Sequence, residues 1–140
     1  MRTAPLSGPI DGATIHPVRT TADAEAAIGW LTESRPFVAL DTETTGVAFD
    51  SKVRLVQYGC CRDSWVFDPH QWPALLEMLD FVEVPLVCHN ASFDLLHVAS
   101  LLDPTNVVDK VTDLMGRVTD TSVLAHLVDP RDKRDGGTGH

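Results

Sequence analysis

The chain has 140 residues, 44% of them apolar, and carries 20 acidic against 11 basic side chains for a net charge of −9. That length suits one domain with its own core, and no run of about 18 apolar residues exists that could span a membrane. So acidic a balance argues against gripping nucleic acid by charge alone, since phosphate contacts need Lys and Arg; it suits cation binding or a partner that supplies basic surface.

Residues 1–13 are rich in Pro, Gly, Ser and Thr and are expected to form a flexible tail. They have no apolar stretch of the kind a secretory signal needs, so a cytoplasmic location is expected. "TIHPVRT" reads as an edge strand, because Pro17 cannot donate to a central ladder. "TTADAEAAIGWLTES" reads as a helix capped by Thr20 or Thr21, with Asp23 and Glu25 favourable in its first turn. Pro36 ends that helix by restricting Arg35.

"FVAL" is a continuous apolar run, expected of a central strand covered on both faces. "VRLVQYGC" and "SWVFD" read as two further strands joined by a turn at "CRDS". "QWPALLEMLD" is a short helix with Pro73 in its first turn. "VPLVCHN" is a fourth strand, and "ASFDLLHVASLL" a helix packed on the sheet. "TNVVDKVTDLMG" is more weakly helical, with Gly116 as its C-cap. Asp120 or Thr121 then caps "SVLAHLV", which stops at Asp129-Pro130. Residues 131–140 are polar and Gly-rich, a second expected tail. The pattern predicts an α/β fold with a mixed sheet, an antiparallel meander followed by parallel strands through helical crossovers. Cys60, Cys61 and Cys88 sit among apolar strand residues and read as buried, reduced thiols.

The chemistry concentrates in two short stretches. In "LDTETTG", Asp41 and Glu43 are two apart on a strand, so both emerge on one face while Thr42 takes the other. Two carboxylates that close repel unless a cation lies between them, and an all-oxygen site suits Mg²⁺ or Mn²⁺. Gly46 follows, with no side chain to bar a substrate backbone. The plainer alternative is a solvated strand end with Thr44 and Thr45 as turn residues. In "HNASFD", Asn90 and Asp94 share a face at the start of a helix, where α/β proteins often place ligands. Asp94 could join Asp41 and Glu43 around two metals; equally, Asn90 could be a cap and Asp94 a partner of the helix dipole.

Taken together, the two stretches resemble the DEDD family of 3′–5′ exonucleases, within the ribonuclease H-like fold. "LDTETTG" is similar to the family's first motif, D-x-E. "NASFD" is similar to the second, an asparagine followed by an aromatic residue and an aspartate, and the two lie about fifty residues apart as expected. "TDTSVLAHLVDP" resembles the aspartate-threonine helix of the proofreading domains of family A DNA polymerases and of ribonuclease D. The resemblance covers residues 14–130 as a partial exonuclease domain. It implies two-metal hydrolysis of phosphodiesters at the 3′ end of nucleic acid; "DTSVLAHLVDP" leans toward the polymerase side and so toward DNA, while the shared motifs leave RNA open. It implies Asp41, Glu43 and Asp94 as metal ligands, Asp41 shared between the two ions. Thr44, Thr45, Gly46 and Asn90 would meet the substrate, and Asp120 would be a structural helix cap.

The family's third motif, Y-x-x-x-D or H-x-x-x-D, is not present. Tyr58 leads to Arg62, His89 to Phe93, His97 to Leu101 and His126 to Pro130. The chain therefore reads as the front of the family fold without its last helices, weak alone or completed by a second chain. The rivals are a catalytically inactive module that binds nucleic acid or a polymerase and, more remotely, a haloacid dehalogenase-like phosphatase. For the latter, "DTETT" is a near miss of D-x-D-x-T, and Lys110 has no paired aspartates to accompany it.

Overall fold

A computed structural model describes residues 12–48 and 50–129. In chain order the elements are β1 (Thr14–Pro17), α1 (Thr21–Thr32), β2 (Val38–Thr44), β3 (Val53–Cys60), β4 (Asp63–Phe67), α2 (Pro73–Phe81), β5 (Leu86–Cys88), α3 (Ala91–Leu102), α4 (Val107–Met115), β6 (Val118–Asp120) and α5 (Thr121–Val128). The strands form one sheet in the order β1-β4-β3-β2-β5-β6. β2, β3 and β4 are the antiparallel meander, and β5 and β6 continue it in parallel through helical crossovers. β1 stands outside the meander, at the far edge and parallel to β4. The expected flexible tails fall outside the described residues, apart from Gly12 and Ala13. No described helix is long and apolar enough to cross a membrane.

Local chemistry accounts for most of the elements. The Thr20 hydroxyl accepts from the Asp23 N–H, and the Asp23 carboxylate accepts from the Thr20 N–H, a capping box that starts α1. Helix α1 then buries Ala24, Ala27, Trp30 and Leu31, one face at helical spacing. The Arg35 guanidinium lies 3.6 Å over the Trp30 ring and fixes the exit of the helix. Pro73 opens α2, where no N–H is required of it.

The core lies on one side of the sheet. Val38, Leu40, Val56, Tyr58, Trp65 and Phe67 face it from β2–β4, and Leu75, Leu79, Leu95 and Val98 cover them from α2 and α3. Burying each of these side chains contributes roughly 1.5–3 kcal/mol. The opposite face is open among the described residues. Ala39, Asp41 and Glu43 alternate outward along β2 and all three are exposed. The expectation that "FVAL" is covered on both faces is therefore corrected. The run is apolar, but alternate side chains serve only one packed layer.

Two further corrections concern short segments. β6 pairs with β5 through Leu86–Val118 and Cys88–Asp120, a strand that three residues of mixed polarity do not announce. Its position is set by Arg117, whose guanidinium donates to the carbonyls of Leu79 and Val84 while its own carbonyl accepts from the Leu86 N–H. Cys60 and Cys88 are buried, but Cys61 is exposed, because it turns the β3–β4 hairpin with a left-handed φ of 58°.

Candidate active site

The carboxyl ends of the parallel strands β2, β5 and β6 point to one edge of the sheet, the place where open α/β sheets put their ligands. Asp41 and Glu43 rise there from β2 on the open face. Asp94 reaches the same edge from the first turn of α3, and Asp120 from the end of β6. Cys88, at the end of β5, senses the convergence. Burial pushes its thiol up to about 12, and the charges of Asp94, Asp120 and Asp41 push in the same direction.

Asp94 is only 2% exposed. Its Oδ1 accepts from the Thr42 N–H at 3.0 Å and from the Thr42 hydroxyl at 2.6 Å. The reason lies in the sheet: β5 pairs with β2 only at Val38 and Ala39, so β2 runs on past its neighbour and the Thr42 N–H lacks a ladder partner on that side. The buried acid supplies one. Burial raises the Asp94 carboxyl to about 6; the Thr42 hydrogen bonds oppose that rise, and the nearby Asp41 charge adds to it.

The structure thus brings Asp94 against the residue between the two strand acids. It does not gather the three carboxylates in one depression. Asp41 lines a hollow of about 440 Å³ whose walls include Ala39, Gln57, Val87 and His89. Glu43 lines another, of about 660 Å³, with Thr44, Thr45, Lys52, Arg54 and His70. Among the described residues no group of three or more His, Cys, Asp or Glu side chains is already arranged to hold a metal.

The expected substrate contacts are placed as follows. The Thr44 hydroxyl donates to the Gly46 carbonyl, and Thr45 is clasped to Lys52 by two hydrogen bonds, so the turn after β2 is pinned. Gly46 is exposed there, and among the described residues an added Cβ would meet only the Ser51 hydroxyl, at 3.2 Å. Asn90 heads α3 in the left-handed region, φ 66° and ψ 58°, and its side chain makes no capping bond. Its carboxamide accepts from the Ser92 hydroxyl and stands exposed at the site edge.

Asp120 caps α5 through the Ser122 N–H and also accepts from the Ser122 hydroxyl. It takes the N–H groups of Asn90 and Ala91 as well, so one carboxylate ties the starts of α3 and α5 together. Partial burial pushes this acid up, but the Ser122, Ala91 and Asn90 donors outweigh that and hold it at about 2. Asp120→Ala is expected to cost roughly 2–4 kcal/mol, since it strips donors from two helix starts and unpins the left-handed Asn90. Urea melts of the two proteins check this; a loss near zero would show that the bridge is dispensable.

Sequence reasoning missed Thr42 as the partner of Asp94, and missed Gln57, which lies opposite Asp41 on β3. Only the hydroxyl between the two acids hinted at the first; the second depends on strand register.

Comparison with known proteins adds three findings. Residues 15–131 match the model of a family described as 3′–5′ exonuclease. The chain is 36% identical over 141 residues to a DNA polymerase of Mycobacterium phage D29 and 35% identical over 136 residues to that of Mycobacterium phage L5. In both cases 93% of the chain spans only 22% of the relative's length. In fold, it is similar to the catalytic core of RRP6 from Trypanosoma brucei, with TM-score 0.59 at 19% identity, covering 84% of the chain and 31% of that structure. It is also similar to the Nibbler EXO domain of Aedes aegypti, with TM-score 0.56 at 18% identity, covering 81% of the chain and 56% of that structure.

Proposed function

The chain belongs to the DEDD family of 3′–5′ exonucleases, and from that premise we propose that it removes nucleotides from the 3′ end of single-stranded DNA, in the manner of a polymerase proofreading domain. The phosphatase alternative falls with that membership. The observation that carries the reading is the pair of hydrogen bonds from Thr42 to Asp94. They join the acid of the second motif to the strand segment between the acids of the first.

The family is in general divalent-metal dependent. The donor set fits such an ion: three carboxylates, all oxygen, two of them exposed on one strand face. Asp94 fits for a second reason. Its carboxyl is raised by burial and by the Asp41 charge, a repulsion that a cation would relieve. Asp41, Glu43 and Asp94 would hold Mg²⁺ or Mn²⁺, which would supply an acidified water and charge neutralisation for in-line displacement. The chain's own residues then orient the strand. The pinned turn at Thr44–Gly46 presents backbone to the terminal sugar, and Asn90 offers its carboxamide from the edge of α3.

Completion of the site by a segment with the third motif, in a second polypeptide or in a polymerase, is part of the same proposal. The open sheet face supports it, as does the exposure of Val123, Leu124, Leu127 and Val128 on α5. A complete site would add one carboxylate and a water-orienting group. Without them, the 140-residue chain is expected to bind metal and to cleave slowly or not at all.

Calorimetry with Mn²⁺ tests this. Binding is expected to the chain and to weaken at least about tenfold in Asp41→Ala, because neighbouring carboxylates share the ion. Equal binding by the two proteins would remove Asp41 from the site. Titration with DNA and RNA oligomers of one sequence would then decide the substrate class, which a site senses through the 2′-hydroxyl. Tighter binding of RNA would overturn the DNA assignment.

A further inference from the structure

A phosphodiester has to approach three carboxylates on a chain of net charge −9. Ions held by those carboxylates would neutralise the scissile group alone; the neighbouring phosphates of the strand would still need a counter-charge of their own. The hollow around Glu43 contains one. Of its charged walls, Glu43 and Asp68 are acidic, and Lys52 and Arg54 are basic. Asp68 is engaged, its Oδ1 accepting from the His70 N–H at 2.8 Å. Lys52 and Arg54 enter no ion pair among the described residues. By contrast, Arg35, Lys110 and Arg117 are each bound to an acid elsewhere.

The backbone aims these two side chains. Glu43 pairs with Leu55 and Thr44 with Val53, so β3 advances two residues while β2 advances one, and Arg54 is the extra residue of a β-bulge. Alternation breaks at that point: Val53 and Val56 are buried, while Arg54 and Leu55 are both exposed. A bulge re-aims a side chain that regular pleating would send elsewhere. Here it turns out a guanidinium beside Glu43. Lys52 is fixed one residue before β3 by the clasp to Thr45, made through its N–H and its carbonyl, which leaves its ammonium unencumbered. His70 braces the strand between them, its Nε2 lying 3.0 Å from the Val53 carbonyl.

We propose that Lys52 and Arg54 form a phosphate clamp that receives the backbone of single-stranded nucleic acid beside Glu43. The clamp rests on the exonuclease reading for its place in the reaction, but binding can be measured without turnover. Lys52 contributes a mobile point charge, and Arg54 a planar fork suited to two phosphate oxygens.

The test uses the full chain in EDTA, with fluorescently labelled oligo(dT) followed by anisotropy over a salt series. Lys52→Gln with Arg54→Gln is expected to weaken binding on the order of tenfold and to flatten the log K against log salt slope by about 1.4, some 0.7 for each phosphate no longer neutralised. Arg19→Gln with Arg62→Gln changes the net charge equally, away from the hollow, and is expected to stay within about twofold of the parent. Arg54→Lys is expected to keep the salt slope and lose part of the affinity. Both substituted side chains are exposed, so unchanged circular dichroism melts should accompany the result. Equal weakening by the two double variants, or no binding by the parent, overturns the clamp. A clamp that binds in EDTA while Mn²⁺ binding ignores Asp41 overturns the exonuclease reading alone. Asp41-dependent hydrolysis with binding indifferent to Lys52 and Arg54 overturns the clamp alone.

Discussion

Fusing to this chain the segment that follows the matched region in the phage D29 DNA polymerase is expected to give a metal-dependent 3′-exonuclease rate at least about 10²-fold above any shown by the chain alone, because groups that act as one catalytic unit lose far more than their share when one is absent. The chain carries the acids of two motifs but no Tyr or His four residues before an Asp. The relatives extend well beyond the matched stretch, which is 22% of their length. The surface of the chain also calls for a covering. Helix α5 buries only Ser122, while Val123, Leu124, Leu127 and Val128 are between 48% and 87% exposed. An added helical layer would bury that apolar surface and the open face of β2, so the fused protein should also melt at a higher temperature. Single-turnover rates on 3′-labelled single-stranded DNA are the measurement. Asp41→Ala in the fused protein should return the rate to that of the chain alone. A fused protein no faster than the chain, or one indifferent to Asp41, would defeat the proposal that the site is completed from outside.

The second large effect concerns stability and pH in metal-free buffer. The folded-state carboxyl of Asp94 is raised from 3.8 to about 6. Between those values the folded chain binds a proton that the unfolded chain has released, so stability from this group falls as pH rises and levels off above the folded value. From about pH 4.5 to about pH 7 the loss should be about 2 kcal/mol. Asp120 has the opposite sign, but its window lies below 3.8 and above about 2, outside that range. Asp94→Asn keeps an acceptor for Thr42 and has nothing to titrate, so the difference between it and the parent isolates the effect. Urea melts at both pH values should show the parent weakening relative to Asp94→Asn. Parallel pH profiles would mean that neither burial nor the Asp41 charge raises the Asp94 carboxyl on folding. Asp94→Ala should instead cost about 2–4 kcal/mol even at low pH, since the Thr42 N–H and hydroxyl are left buried without a partner.

Much of this molecule is legible in one dimension. The Thr20–Asp23 capping box, the Pro73 helix start and the helix ending before Pro36 depend on residues within four positions of each other, and each appears where the local chemistry demands. The order of strands and helices follows from the period of the apolar residues. The two acidic stretches point to the family by residue type and spacing alone. The open face of β2 is hidden, because Ala39 is apolar whether or not anything covers it. β6 is hidden because it exists through Arg117 and β5, not through its own three residues.

By itself, then, the amino-acid sequence determined every helix and every strand but β6, the class of sheet and the family, since all of these rest on contacts along the chain or on residue type. Tertiary structure alone decided how those side chains meet. Asp94 finds Thr42 across 52 residues because β2 outruns β5. Asp120 joins two helix starts across 30. Arg54 turns outward because β3 gains a residue on β2. Each depends on strand register and unequal strand length, which are settled only when the sheet packs against its helices and every buried donor must find an acceptor.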